Sequence, residues 1–141
     1  MSERFLFRGK TDPMREGEPS YWAVGWYYEG SNGETLIQKK DCESEVYVIA
    51  STVGQCTGLR DKNGILIFEK DILGGGVDGD RREYLVQWNY DHACFLSVEG
   101  PKRVNKISLD FLPYVAMSNM RLDKVEVIGN IHDTPLGDLS L

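Results

Sequence analysis

Apolar side chains recur along this chain in short runs, and the recurring interval is two. Phe5 and Phe7 share one side of an extended segment, with Arg4, Leu6 and Arg8 between them. YWAVGWYY, Tyr21 to Tyr28, is aromatic and β-branched, and Gly25 in its middle marks a bulge or a close backbone approach. GSNG (Gly30–Gly33) turns that strand into a hairpin with Glu34–Lys39. Val46–Ala50 reads as a further strand by β-branching. Tyr84, Val86 and Trp88 alternate with Leu85 and Gln87, Asn89–His92 turns the chain, and Ala93–Val98 returns as the partner. Lys124–Ile131 closes the series, with Val125, Val127 and Ile131 inward. Only Asn105–Met117 carries helical spacing, in Ile107, Phe111 and Leu112, and Pro113 limits it to one short turn beside a strand. Thr11–Ser20, Gly74–Gly79 and His132–Leu141 read as loops.

The centre, TVGQCTGLRDKNGILIFEKDIL from Thr52 to Leu73, has a folding explanation for every member. Asn63-Gly64 between apolar segments predicts a two-residue type I′ hairpin turn, because both residues tolerate positive φ. Gly54 and Gly58 are placed where strands would bend at a barrel corner. Asp71, ahead of Ile72-Leu73, is read as capping its turn with backbone hydrogen bonds. Glu69 and Asp71, at i and i+2, would share a strand face and could suit a metal or an acid–base pair. That role needs a further polar group such as His, and the local sequence supplies none. The expected fold is all-β: a small bent, partly closed barrel with one short helix and a C-terminal strand, in a single domain over residues 1–141.

Composition sets the compartment and narrows the partners. The chain has 141 residues, 41% hydrophobic and 11% aromatic, enough for one core without disulfide or metal. Its net charge of −6 and pI of 4.9 disfavour nucleic acid, which needs clustered Lys and Arg. Arg81, Arg82, Lys102, Arg103 and Lys106 come in short groups beside acids and read as solvated surface. Cys42, Cys56 and Cys94 are odd in number with no CxxC spacing, which fits a reducing compartment and buried thiols. The start lacks a signal-peptide apolar region, and no run reaches the ~20 apolar residues of a membrane span. The expectation is a cytoplasmic protein with no membrane partner.

Candidate chemistry fails on context. Gly74, Gly76 and Gly79 satisfy GxGxxG, but acids surround the run and a strand pattern follows where a dinucleotide site needs a helix. His92 and Cys94 form the one close ligand pair, whereas structural zinc sites use close pairs on both arms. Counting a calcium loop from Asp61 puts Ile72 where a glutamate is required. No cofactor, metal or catalytic residue is therefore expected. The aromatics Tyr21, Trp22, Trp26, Tyr27 and Tyr28 are assigned first to the core and cross-strand packing. Yet both faces of that strand are too apolar for one to be solvated without a partner, so Trp22, Trp26 and Tyr28 are the candidate interaction surface.

The run from Thr52 to Ile72, T-V-G-Q-x-T-G-L-x-D-K-N-G-x-x-I-F-E-x-D-I, closely resembles the central signature of the phage-encoded YopX family. Phe7-Arg8-Gly9-Lys10 with Trp22-Ala23-Val24-Gly25 resembles its N-terminal pattern, and Glu126-Val127-Ile128-Gly129-Asn130-Ile131 followed by Pro135 resembles its C-terminal ending. Thr52, Gly54, Gln55, Thr57, Gly58, Asp61, Asn63, Gly64, Glu69, Asp71, Gly129 and Asn130 are thus the signature positions, read as structural. Two residues within the run depart from the pattern. Cys56 stands where the family often has an aromatic, and is expected to fill a smaller buried space. Lys70 replaces a glycine, which argues against a positive-φ turn there. The resemblance implies a β-dominated, barrel-like domain from a bacteriophage or prophage and brings no catalytic residue. The functional expectation is a non-enzymatic accessory protein acting through a protein partner or itself as a homo-oligomer. A nucleic-acid-binding module is the alternative, and a metal-dependent enzyme ranks below it.

Overall fold

The computed structural model describes residues 3–42, 44–75, 82–89, 94–99, 114–117 and 121–133. It is all-β. Eleven strands run in order: β1 Phe7–Lys10, β2 Trp22–Glu29, β3 Thr35–Lys39, β4 Glu45–Tyr47, β5 Gly54–Arg60, β6 Leu66–Phe68, β7 Asp71–Gly75, β8 Arg82–Asn89, β9 Cys94–Glu99, β10 Tyr114–Ala116 and β11 Val125–Asn130. They form two sheets, in the orders β4-β3-β2-β1-β5-β6 and β10-β9-β8-β7-β11. Each order has two ends, so the expected barrel closure is not found among the described residues. Gly54 pairs in register with Arg8, and Gly58, at φ 81, falls where one compact unit (Met1–Gly58) gives way to the next (Leu59–Leu141). Of the two glycines expected where strands bend, Gly54 stands in a regular ladder and Gly58 takes the left-handed backbone within β5.

The expected helix lies mostly outside the described residues, and Tyr114–Ala116 at its end is a strand. Three-residue 3-10 turns stand at Glu3–Phe5, Ala50–Thr52 and Leu122–Lys124. The first of these ends the expected N-terminal alternation: Phe5 is exposed and Leu6 is buried.

In the first unit, β2 pairs with β1 and β3, and β3 pairs with β4, all antiparallel. Its core is Ala23, Ile37 and Val48, with Val46 and Val53 packed around them. Gly25 is a close approach: a Cβ there would overlap the Gln38 carbonyl oxygen of β3. Thr52 ties the far end down, its hydroxyl donating to the Ile49 carbonyl (2.6 Å) and accepting from the Lys10 N–H (2.9 Å).

In the second unit the core is Ile67, Leu73, Val86, Met117 and Val125. β8 and β9 make the expected hairpin, with Trp88 and Phe95 directly opposite and their rings edge-to-face at 4.9 Å. β11 is the expected C-terminal strand and lies at the edge beside β7. Its register slips by one residue between Val127 and Gly129, so Ile128 is pushed out, 41% exposed.

Candidate functional site: a scaffold of signature residues and an open aromatic face

Four of the polar signature residues, Thr52, Asp61, Asp71 and Asn130, accept backbone N–H groups through their side chains. The turn after β5 closes with Gly64 N–H donating to the Asp61 carbonyl (3.0 Å) and Asp61 N–H to the Ile65 carbonyl (2.9 Å). Positive φ occurs at Gly64 but not at Asn63. This is a three-residue loop, a type I turn followed by one left-handed glycine, and not the two-residue type I′ turn expected. The Asp61 carboxylate selects it, since Oδ1 accepts the N–H groups of Asn63 and Ile65, both at 2.9 Å. GSNG repeats the same closure, with Gly33 N–H on the Gly30 carbonyl and φ 85 at Gly33.

Asp61 also reaches the sheet edge. Its Oδ2 accepts the Val127 N–H of β11 (2.8 Å), and Lys62 N–H donates to the Val125 carbonyl (3.0 Å). Asn63 Nδ2 adds a bond to Glu126 (3.2 Å). The turn thus satisfies edge-strand groups that would otherwise be a template for another strand. Burial pushes the Asp61 carboxyl up, but the N–H donors of Val127, Ile65 and Asn63, helped by Lys62, outweigh it and hold the group below its ordinary value.

Asp71 is 1% exposed. Its Oδ2 accepts the Phe68 N–H (2.8 Å) across the Glu69-Lys70 turn, and its Oδ1 accepts Asn130 Nδ2 (3.1 Å). Asn130, opposite Asp71 in the ladder and 2% exposed, accepts the His132 N–H through Oδ1 (3.0 Å). Gly129 follows the bulge. Glu69 is half-buried in the turn. Lys70 carries φ 73, which corrects the expectation that a side chain excludes a left-handed turn here. The strain is held by bonds on both sides: Lys70 N–H donates to the Val86 carbonyl (2.8 Å), and its own carbonyl accepts the Ile131 N–H (3.2 Å). Thr57 and Cys56 are buried, Gln55 is half-buried opposite Phe7, and Gly54 is buried opposite Arg8.

The thiols differ from one another: Cys56 is buried, Cys94 half-buried and Cys42 exposed, which corrects the uniform burial expected. Among the described residues no group of three His, Cys, Asp or Glu side chains could hold a metal. His92, most of the glycine-rich run and Arg81, Lys102, Arg103 and Lys106 lie outside the described residues.

The aromatic strand is not all core: Trp22, Trp26 and Tyr28, the candidate interaction residues, lie on the side away from buried Ala23 and Gly25. Ala23 and Gly25 point into the core, while Tyr21 (45%), Trp26 (39%) and Tyr27 (37%) are exposed and Trp22 and Tyr28 half-buried. Register gathers one face: Arg8 and Lys10 on β1, Trp22, Val24, Trp26 and Tyr28 on β2, Leu36 and Gln38 on β3, and Glu45 and Tyr47 on β4. None of these ten is buried, and Tyr47 is 41% exposed. The Arg8 guanidinium lies 4.4 Å from the Trp22 ring centre and the Lys10 ammonium 5.7 Å. At the opposite side, the Glu45 carboxylate accepts the Tyr28 hydroxyl and pushes its pKa up to about 12. Tyr47 and the cations of β1 are the members that strand alternation alone did not assign to this surface.

Residues 14–136 match the family model described as YopX protein. The fold is similar to the crystal structure of protein yopX from Bacillus subtilis, at 14% sequence identity and a TM-score of 0.52, covering 94% of this chain and 97% of that one. No curated protein matches the chain. With the family model spanning most of its length, and with the signature turns folded as described, the chain belongs to the YopX family.

Proposed function

We propose that this protein works by binding and not by catalysis, as an accessory protein of a bacteriophage or prophage acting in the bacterial cytoplasm. The open face of the first sheet is the docking surface, and a protein, foreign or self, is what it docks. One observation carries the reading: β2 gives its small residues, Ala23 and Gly25, to the core and leaves Trp22, Trp26 and Tyr28 outside. A sheet face of that composition is costly in water and is the chemistry of interface centres. The signature carboxylates Asp61 and Asp71, by contrast, are committed to backbone donors, which supports a structural role for them.

The test is recovery of the tagged protein from induced or infected host cells, set beside a Trp26→Ala/Tyr47→Ala variant of unchanged melting temperature. A protein recovered with the parent and lost with the variant is the expected result. The same partner recovered by both would move binding off this face. Arg8 and Lys10 beside Trp22 favour the second reading, a base-stacking surface. Nuclease-sensitive material that leaves steeply as salt rises would establish it and overturn the first.

A further inference from the structure

We infer that a groove at the β4 margin of the first sheet takes an extended, basic segment of a partner protein, with Lys or Arg side chains at alternate positions. The groove opens beside the docking face, shares Glu45 and Tyr47 with it, and does not depend on it. Two adjoining hollows make it up, both walled by Asp12, Met14 and Tyr47. The larger, about 440 Å³, adds Glu34 and reaches Val48. The smaller, about 150 Å³, adds Glu18 and Glu45 and reaches Val46. Val46 and Val48 are alternate residues of one extended run, so the hollows repeat at roughly 7 Å. That is the interval between side chains on one face of an extended guest.

Charge complementarity chooses the guest. Asp12, Glu18, Glu34 and Glu45 stand on the groove, and among the described residues no Lys, Arg or His lines either hollow. Lys39 reaches only the rim, its ammonium donating to the Tyr21 hydroxyl at 3.0 Å. The bonds of the acids are local and neutral. Glu34 accepts the Asn32 N–H (3.2 Å), Glu18 those of Met14 and Arg15 (3.1 and 3.2 Å), and Glu45 the Tyr28 hydroxyl. Their charge is thus left for a cation from outside. Met14 is 75% exposed and Tyr47 41%, a thioether and a ring suited to the alkyl stem and cationic head of lysine or arginine. A bare metal ion has no use for such walls. Strand addition is closed off, because Thr11 bridges Val48 and the Asp12 N–H donates to the Tyr47 carbonyl (2.9 Å) on the outer side of β4. Recognition therefore falls to side chains, and the net charge of −6 draws a basic segment in.

Fluorescence anisotropy of dye-labelled peptides on the full chain tests this. The probe is Thr-Arg-Thr-Arg-Thr, and its isomer Thr-Arg-Arg-Thr-Thr carries the same charge without the alternate spacing. The alternating peptide should bind, and more weakly as salt rises. The isomer, reaching one hollow at a time, should bind roughly two- to fivefold more weakly, the worth of one exposed ion pair. Asp12→Lys reverses the charge on the wall both hollows share and should weaken binding by on the order of tenfold. Its backbone N–H still serves the Tyr47 carbonyl, and melting establishes that it is folded. Glu34→Gln keeps an acceptor for the Asn32 N–H, removes only charge, and should weaken binding roughly two- to fivefold. It carries the test should Asp12→Lys fail to fold. Trp26→Ala lies outside the groove and should leave peptide binding unchanged. An alternating peptide that does not bind, or that its isomer equals, overturns the inference. So do folded groove variants that bind it as the parent does, and so does its loss with Trp26→Ala, which would seat it on the open face. Docking on the open face is read separately, by capture from host cells, so either reading can fail alone.

Discussion

Removing the Asp61 carboxylate should loosen two elements at once. Asp61→Ala leaves the N–H groups of Asn63, Ile65 and Val127 without their acceptor, and all three bonds are 2.9 Å or shorter. A hydrogen bond to a charged group contributes about 1.5–3 kcal/mol, but the exposed loop donors regain water, so the expected loss is ~3 kcal/mol rather than the full sum. Asp61→Asn keeps an acceptor for the two loop donors but turns a donor toward Val127 N–H. It should cost ~2 kcal/mol. Urea unfolding reads both as a lower midpoint at unchanged slope. The acid response carries a second signature. The folded carboxyl sits below its unfolded value near 3.8, so its contribution is complete above that pH and is lost as pH falls through the folded value. The Asn variant should lack that acid-side slope. A loss below ~1 kcal/mol in Asp61→Ala, or an unchanged acid limb in Asp61→Asn, would refute the edge-clamp reasoning.

Further outcomes follow from single positions. Lys70→Gly should raise stability by ~0.5–1 kcal/mol, read as a higher urea midpoint, since relief of left-handed strain exceeds the entropy that glycine loses; a destabilised variant would mean the Lys70 side chain matters more than its backbone. Gly25→Ala should cost ~2–3 kcal/mol, because β2 and β3 must part to admit a methyl against the Gln38 carbonyl; an unaffected melting curve would contradict that contact. Trp26→Ala should leave the stability of the single chain within ~0.5 kcal/mol while abolishing binding, and a large stability loss would mean the ring belongs to a core.

The strands were legible because alternation and turn chemistry agree. Trp22–Glu29, Thr35–Lys39, Arg82–Asn89 and Val125–Asn130 all fall where period two and the intervening turns put them. Gly25 was legible too, since an aromatic strand has no other use for a residue without a side chain. The facing of that strand was not. With aromatics on both sides, alternation has no polar face to orient by, and the deciding partners, Ile37 and Val48, are distant in sequence. Lys70 was misjudged for a related reason. Local sterics argue against positive φ, but backbone bonds from Val86 and Ile131 hold the turn regardless. The type of the Asp61–Gly64 turn was hidden because a carboxylate with three backbone donors, one of them 66 residues away, decides it. Closure into a barrel depends on which strand edges meet, and glycine content does not carry that information.

The central claim is that the polar signature positions hold backbone and turns in place while the open face does the binding. A double-mutant cycle on Asp71→Ala and Asn130→Ala, measured by urea unfolding alongside partner binding, tests it most directly. Each single variant should lose ~2–3 kcal/mol, the pair should show a coupling of at least ~1 kcal/mol, and binding per folded molecule should be unchanged. Two variants as stable as the parent, with no coupling and with binding lost, would contradict the account.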